Sequence, residues 1–192
     1  MLDKNPKQIL NIDLAQMKNK FSDKSPNIIL CPNPFLKTEF LNKLIDSDTF
    51  PVIFLDFDLL YSGYIFSGMI KKNENVKIIR SSKINWENDL KEVIKKISEE
   101  KVLVILDSLN GVYNMFDEIE STRFINAIIM LLSSVAKYTK SIIVATAMAI
   151  KNDDGEWILS PGGRHLMDSK KLGMYYLGMS ETSLNLNSIE KR

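Results

Sequence analysis

Three short segments of this chain carry residue types that chemistry uses, in an order that suggests a single site. The first is Cys31-Pro-Asn-Pro-Phe-Leu-Lys37-Thr38. It follows the apolar run Asn27-Ile-Ile-Leu-Cys31 and leads into helical spacing over Lys37 to Ile45, with Phe40, Leu41, Leu44 and Ile45 on one face. A strand, a tight turn and a Lys-Thr pair opening a helix form the plan of a phosphate-binding loop. Backbone N–H groups of the turn converge on the phosphates, the lysine reaches the β/γ oxygens and the hydroxyl holds Mg²⁺. On that plan Lys37 and Thr38 bind ATP, and Thr38 also ligates Mg²⁺. The two glycine positions of such a loop hold Cys31 and Leu36. Glycine allows backbone geometry that a Cβ resists and lets a phosphate come close, so Leu36 would project where phosphate should lie. Pro32 and Pro34 each remove an N–H donor. ATP and Mg²⁺ are therefore expected here only if the impaired cradle still closes on a nucleotide. The plainer alternative is that Lys37-Thr38 simply opens a helix.

The second segment, Val102-Leu-Val-Ile-Leu-Asp107-Ser108, is an apolar strand ending in an acid and a small hydroxyl residue. A nucleotide site needs such a strand to bring a carboxylate to the Mg²⁺. Asp107 is the expected metal-shell carboxylate, and Asp107 with Ser108 completes the cofactor-binding set. An Asp-Ser turn after an ordinary strand is the alternative. The third segment is Phe54-Leu-Asp56-Phe57-Asp58. A carboxylate there can orient water towards a γ-phosphate, which makes Asp58 the catalytic candidate. Two solvated carboxylates at a strand end are the competing reading.

Other chemistry-bearing residues are sparse. His165 is the only histidine and Cys31 the only cysteine, so they offer neither a metal-ligand set nor an internal disulfide. Arg164, Lys170 and Lys171 form a basic cluster that would meet either solvent or a phosphate of a neighbouring subunit. Lys137-Tyr138-Thr139-Lys140 suits nucleic-acid contact through phosphate and stacking. A solvated helix end explains it better, because cations favour helix C-termini. The stretch Lys151 to Glu156 is net acidic, which argues against tight DNA binding.

The elements that must position these residues follow from hydrophobic periodicity. A helix is expected over Pro6 to Lys20, and strands over Asn27–Cys31, Pro51–Asp56, Asn75–Ile79, Val102–Asp107, Ser141–Thr146 and Gly173–Met179. Between them lie helices at Asn85–Glu100 and Glu120–Tyr138, an aromatic-rich stretch Leu59–Ile70 that is helix or structured loop, and a turn at Ser160-Pro-Gly-Gly163 followed by a short helix. Strands alternating with helices predict an α/β fold with a mostly parallel central sheet flanked by helices on both faces. The last one or two strands suit antiparallel additions. The 192 residues form one expected domain: an N-terminal helix and loop over 1–25, a core over 26–180 and a tail over 181–192. Formal net charge is +1, which provides no global field towards nucleic acid or membrane. With no signal-peptide pattern and no apolar run of about 18 residues, a cytoplasmic protein is expected.

The order of these segments resembles the RecA/RadA recombinase core and its paralogs, a RecA-like P-loop NTPase fold, over roughly Ile28 to Leu177. In that family the strand after the phosphate-loop helix commonly ends Asp-Thr-Glu, and the resemblance places Asp58 where the water-activating glutamate stands. Leu106-Asp107-Ser108 looks like the family's Walker B strand, and Ile142 to Thr146 like the following strand, whose polar end senses nucleotide. Ser160-Pro-Gly-Gly163 with Asp168-Ser169 is similar to the C-terminal part of the core. With no DNA-binding domain ahead of the core, the resemblance implies a short paralog: a weakly hydrolysing or non-catalytic subunit of homologous recombination and DNA repair. Its expected partners are RecA/RadA-like subunits or copies of itself, with DNA contact weak. Two alternatives stay open. One is an active ATPase using Lys37, Thr38, Asp58 and Asp107. The other is an Elongator-like scaffold of RecA fold, with Tyr61, Tyr64 and Phe66 as either interface anchors or core residues.

Overall fold

The computed structural model describes residues 14–116, 118–153, 155, 157–160, 172–180 and 183–189. The elements in chain order are α1 (Leu14–Asp23), β1 (Asn27–Cys31), α2 (Pro34–Asp46), β2 (Val52–Asp56), α3 (Leu60–Phe66), β3 (Val76–Ile79) and α4 (Trp86–Glu99). They continue with β4 (Leu103–Asp107), α5 (Leu109–Met115), α6 (Glu118–Thr139), β5 (Ile142–Lys151), β6 (Trp157–Leu159), β7 (Gly173–Ser180) and β8 (Ser183–Ser188). The sheet runs β3-β2-β4-β5-β1-β7-β8, with β6 paired to β5 off this path. Strands β1 to β5 and β7 are parallel to their neighbours in that order, and β6 and β8 are the antiparallel additions.

Alternation along each strand builds two cores. Ile28 and Leu30 of β1, Val104 and Leu106 of β4, and Ile143 and Ala145 of β5 pack with α4, α5 and α6. Ile29 and Cys31, Leu103 and Ile105, and Ile142 and Val144 pack with α1, α2 and α3 on the other side. A strand buried on both faces has no polar side to present, which is why these runs are almost wholly apolar. Helix α6 shows the matching periodicity, burying Ile125, Ile129, Leu132 and Ala136 along one stripe. It ends before Lys140, which takes the left-handed conformation (φ 58°), and Tyr138 beside it is exposed.

Several elements differ from the sequence expectation. Helix α2 begins at Pro34, one turn before Lys37, because Asn33 caps it and proline suits the first helical position. Strand β5 passes Thr146 to Lys151, since its second half pairs with β6. The segment 181–192, expected as a tail, contains β8: its Leu184 and Leu186 alternate with polar residues, and the strand pairs along all of β7 from Tyr175. Leu59–Ile70 resolves into α3, in which Tyr61 is buried on Phe54 while Phe66 is exposed. Most of the helix expected over Pro6–Lys20, the turn at Pro161–Gly163, Arg164, His165, Asp168, Ser169, Lys170 and Lys171 lie outside the described residues.

One buried side chain ties three elements together. Asn27 is fully buried at the start of β1, and its amide donates to the carbonyls of Phe21 (3.0 Å), Lys24 (2.8 Å) and Ile143 (3.3 Å). It thereby docks the end of α1 against β1 and β5. Buried carbonyls left without a donor cost about 1–3 kcal/mol. Asn27→Ala should lower the unfolding free energy by about that amount, read from the urea midpoint at unchanged slope; an unchanged midpoint would show that water satisfies these carbonyls.

Candidate functional site

The carboxyl ends of β1, β2, β4 and β5 lie along one edge of the sheet, because the four strands run parallel. In open α/β sheets this is the edge at which loops gather functional side chains. Asp107 closes β4 directly beside Asp56 of β2, and Thr146 of β5 stands between β4 and β1. From β1 the chain bends through Pro32 and Asn33 and enters α2 at once. Lys37 therefore sits in the first turn of that helix, at the same edge.

The Lys37 side chain is 1% exposed. Its Nζ lies 2.7 Å from Asp107 Oδ1 and 2.9 Å from Asp58 Oδ2. Thr146 Oγ1 donates to the same Asp107 oxygen at 2.5 Å. Asp107 is as buried as the lysine, while Asp58 is 24% exposed and forms the outer wall of the cluster. Backbone contacts hold Asp58 in place: the Asp107 carbonyl accepts from the N–H groups of Phe57 (2.7 Å) and Asp58 (3.3 Å). The first turn of α5 packs against them from the other side. A Cβ on Gly111 would lie 2.5 Å from Asp58 Oδ1 and 2.8 Å from Phe57 Cβ, so only glycine leaves room for this carboxylate.

The structure thus brings together Lys37, Asp58 and Asp107, and adds Thr146. Thr38 and Ser108 are nearby in sequence but engaged locally. Thr38 Oγ1 donates to the Pro34 carbonyl at 2.9 Å, back along its own helix. Ser108 is the buried N-cap of α5, its hydroxyl accepting from Gly111 N–H at 3.3 Å. Asp56 stays apart from the lysine. Its Oδ2 accepts from the backbone N–H (2.8 Å) and the hydroxyl of Ser62, and the Ser62 oxygen also takes the Arg80 Nε donor at 3.0 Å. Asp56 is fully buried, so the pair Asp56 and Asp58 is not simply two solvated carboxylates.

Two of the turn's backbone donors are engaged as well. Leu36 N–H donates to Asn33 Oδ1 at 2.9 Å and Lys37 N–H to the Asn33 carbonyl at 3.2 Å. Pro32 and Pro34 carry no N–H. These residues form a capped helix start and not a ring of N–H groups converging on a phosphate, and Leu36 packs against the α2-side core. Lys37, Asp58 and Asp107 are bonded to one another and Thr38 to its own helix, so in this arrangement these groups are engaged within the protein.

Charge follows from these contacts. Burial opposes the Lys37 ammonium, but the charges of Asp107 and Asp58 and the hydrogen bonds to both outweigh it and hold the lysine above its ordinary value. Burial pushes Asp107 above the usual carboxylate range, with Lys37 and the Thr146 hydroxyl pulling against it. Cys31, beneath the turn, is pushed far up by burial and is an inert thiol.

Some site residues escaped the sequence reading. Asn33 was readable in principle, since Asn-Pro is a cap followed by a first-turn proline. Asn110 was not: its side chain accepts from Met148 N–H at 2.7 Å and donates to the Ser160 carbonyl, joining α5 to the β5–β6 hairpin across a long sequence gap.

No family model and no curated protein sequence matches the chain. Among solved structures it is similar to one described as an ATPase domain, with a TM-score of 0.51 and 14% identity over 82% of this chain and 70% of that one. It is also similar to a DnaB-like replicative helicase whose structure was described with its interactions with primase, with a TM-score of 0.50 and 14% identity. That match covers 84% of this chain but only 48% of the helicase chain. The fold is that of a RecA-like P-loop NTPase, with a mostly parallel central sheet between two helical layers. Among the described residues, no helix is long and apolar enough to cross a membrane.

Two outcomes follow for stability. Breaking a buried pair by removing one partner costs about 3–5 kcal/mol. Lys37→Met should lose about that much at neutral pH. Asp107 already binds its proton more readily folded than unfolded, and removing Lys37 takes away the main influence against this. A group with a raised folded pKa contributes stability at low pH that is lost as pH rises. The deficit of the variant should therefore be small near about pH 4 and grow towards neutrality. Urea midpoints across that range check this, and a deficit independent of pH would contradict it. Separately, Gly111→Ala should destabilise the fold by about 1–3 kcal/mol through overpacking, read as a lower urea midpoint; an unchanged midpoint would show that Phe57 and Asp58 shift at no cost.

Proposed function

We propose that this chain is a RecA/RadA-like paralog working as an accessory subunit of a protein assembly, with ATP hydrolysis weak or absent, in recombinational DNA repair. The observation that carries the first part is the closed cluster at the strand ends. Lys37, the residue that would reach a γ-phosphate, already has two carboxylate partners. Binding a nucleotide would require breaking a buried ion pair, unwinding the first turn of α2 and freeing the Asn33 cap. Each step costs free energy that an open glycine-rich loop does not incur. The cluster in turn gives the fold a reason to retain Lys37 and Asp107 without catalysis, since removing either leaves an uncompensated buried charge. The role in repair rests on the segment order shared with the RecA/RadA core. The similar structures, an ATPase domain and a replicative helicase, are in keeping with a DNA-associated assembly.

A second reading has one observation in its favour. Lys37, Asp58, Asp107 and Thr146 converge at the carboxyl edge of the sheet, where an active ATPase would need them. Lys37 would then trade its carboxylates for phosphate oxygens.

Equilibrium binding of a fluorescent ATP analogue with Mg²⁺ separates the two. The proposal expects no saturation up to about 1 mM nucleotide, which corresponds to less than about 4 kcal/mol of binding free energy. Micromolar binding that disappears in Lys37→Ala would overturn it and establish the variant loop as functional. Lys37→Ala is used only with its folded state checked by circular dichroism, because the cluster supports the fold.

A further inference from the structure

We draw no further inference here: the strongest candidate, the groove of about 990 Å³ along β3 between α3 and α4, carries none because nothing in the structure shows what covers it.

Discussion

The structure depends on a buried positive charge at the start of a helix. Lys37 is placed where the helix dipole disfavours a cation and where water is excluded. It is stable there only because Asp107 and Asp58 close on it. Much of the local architecture serves that closure. Thr146 satisfies Asp107 from the neighbouring strand, the Asp107 carbonyl fixes the backbone of Phe57 and Asp58, and Gly111 clears space for the Asp58 carboxylate. A cluster of this kind is sensitive to every member, because each removal leaves another group buried without its partner.

The helix start is the second half of the same constraint. A phosphate loop must leave N–H groups free and pointed inward, which opposes tight capping. Here Asn33 and Pro34 do the reverse: the asparagine side chain and carbonyl take the N–H groups of Leu36 and Lys37, and the proline fixes the first helical residue. The chain has the topology of a RecA-like NTPase, and the turn after β1 is a capped helix start. Fold and function separate in this way because topology is set by the two apolar cores, while chemistry is set by a few residues at the strand ends.

The sequence by itself determined the layered architecture. Val102 to Leu106 and Ile142 to Ala145 are apolar at every position, and only a sheet covered on both faces accommodates such runs. It also determined that Lys37, Asp58 and Asp107 lie at the ends of elements on one edge, because strand–helix alternation forces parallel strands and a shared direction. What it left undecided was short or non-local. Leu59–Ile70 held too many aromatics for one periodicity to dominate. The β8 strand was short, and its pairing depends on β7. Helix α5 spans only seven residues, too few for a periodic signal. Asn110 acts across a long sequence gap, and no local pattern announces such a contact. Tertiary structure alone decided which donors and acceptors meet. The same Lys-Thr and Asp-Ser residues are compatible in sequence with a nucleotide site or with a closed ion cluster. Where α2 begins and which carboxylates reach the lysine depend on packing between β1, β2, β4 and β5.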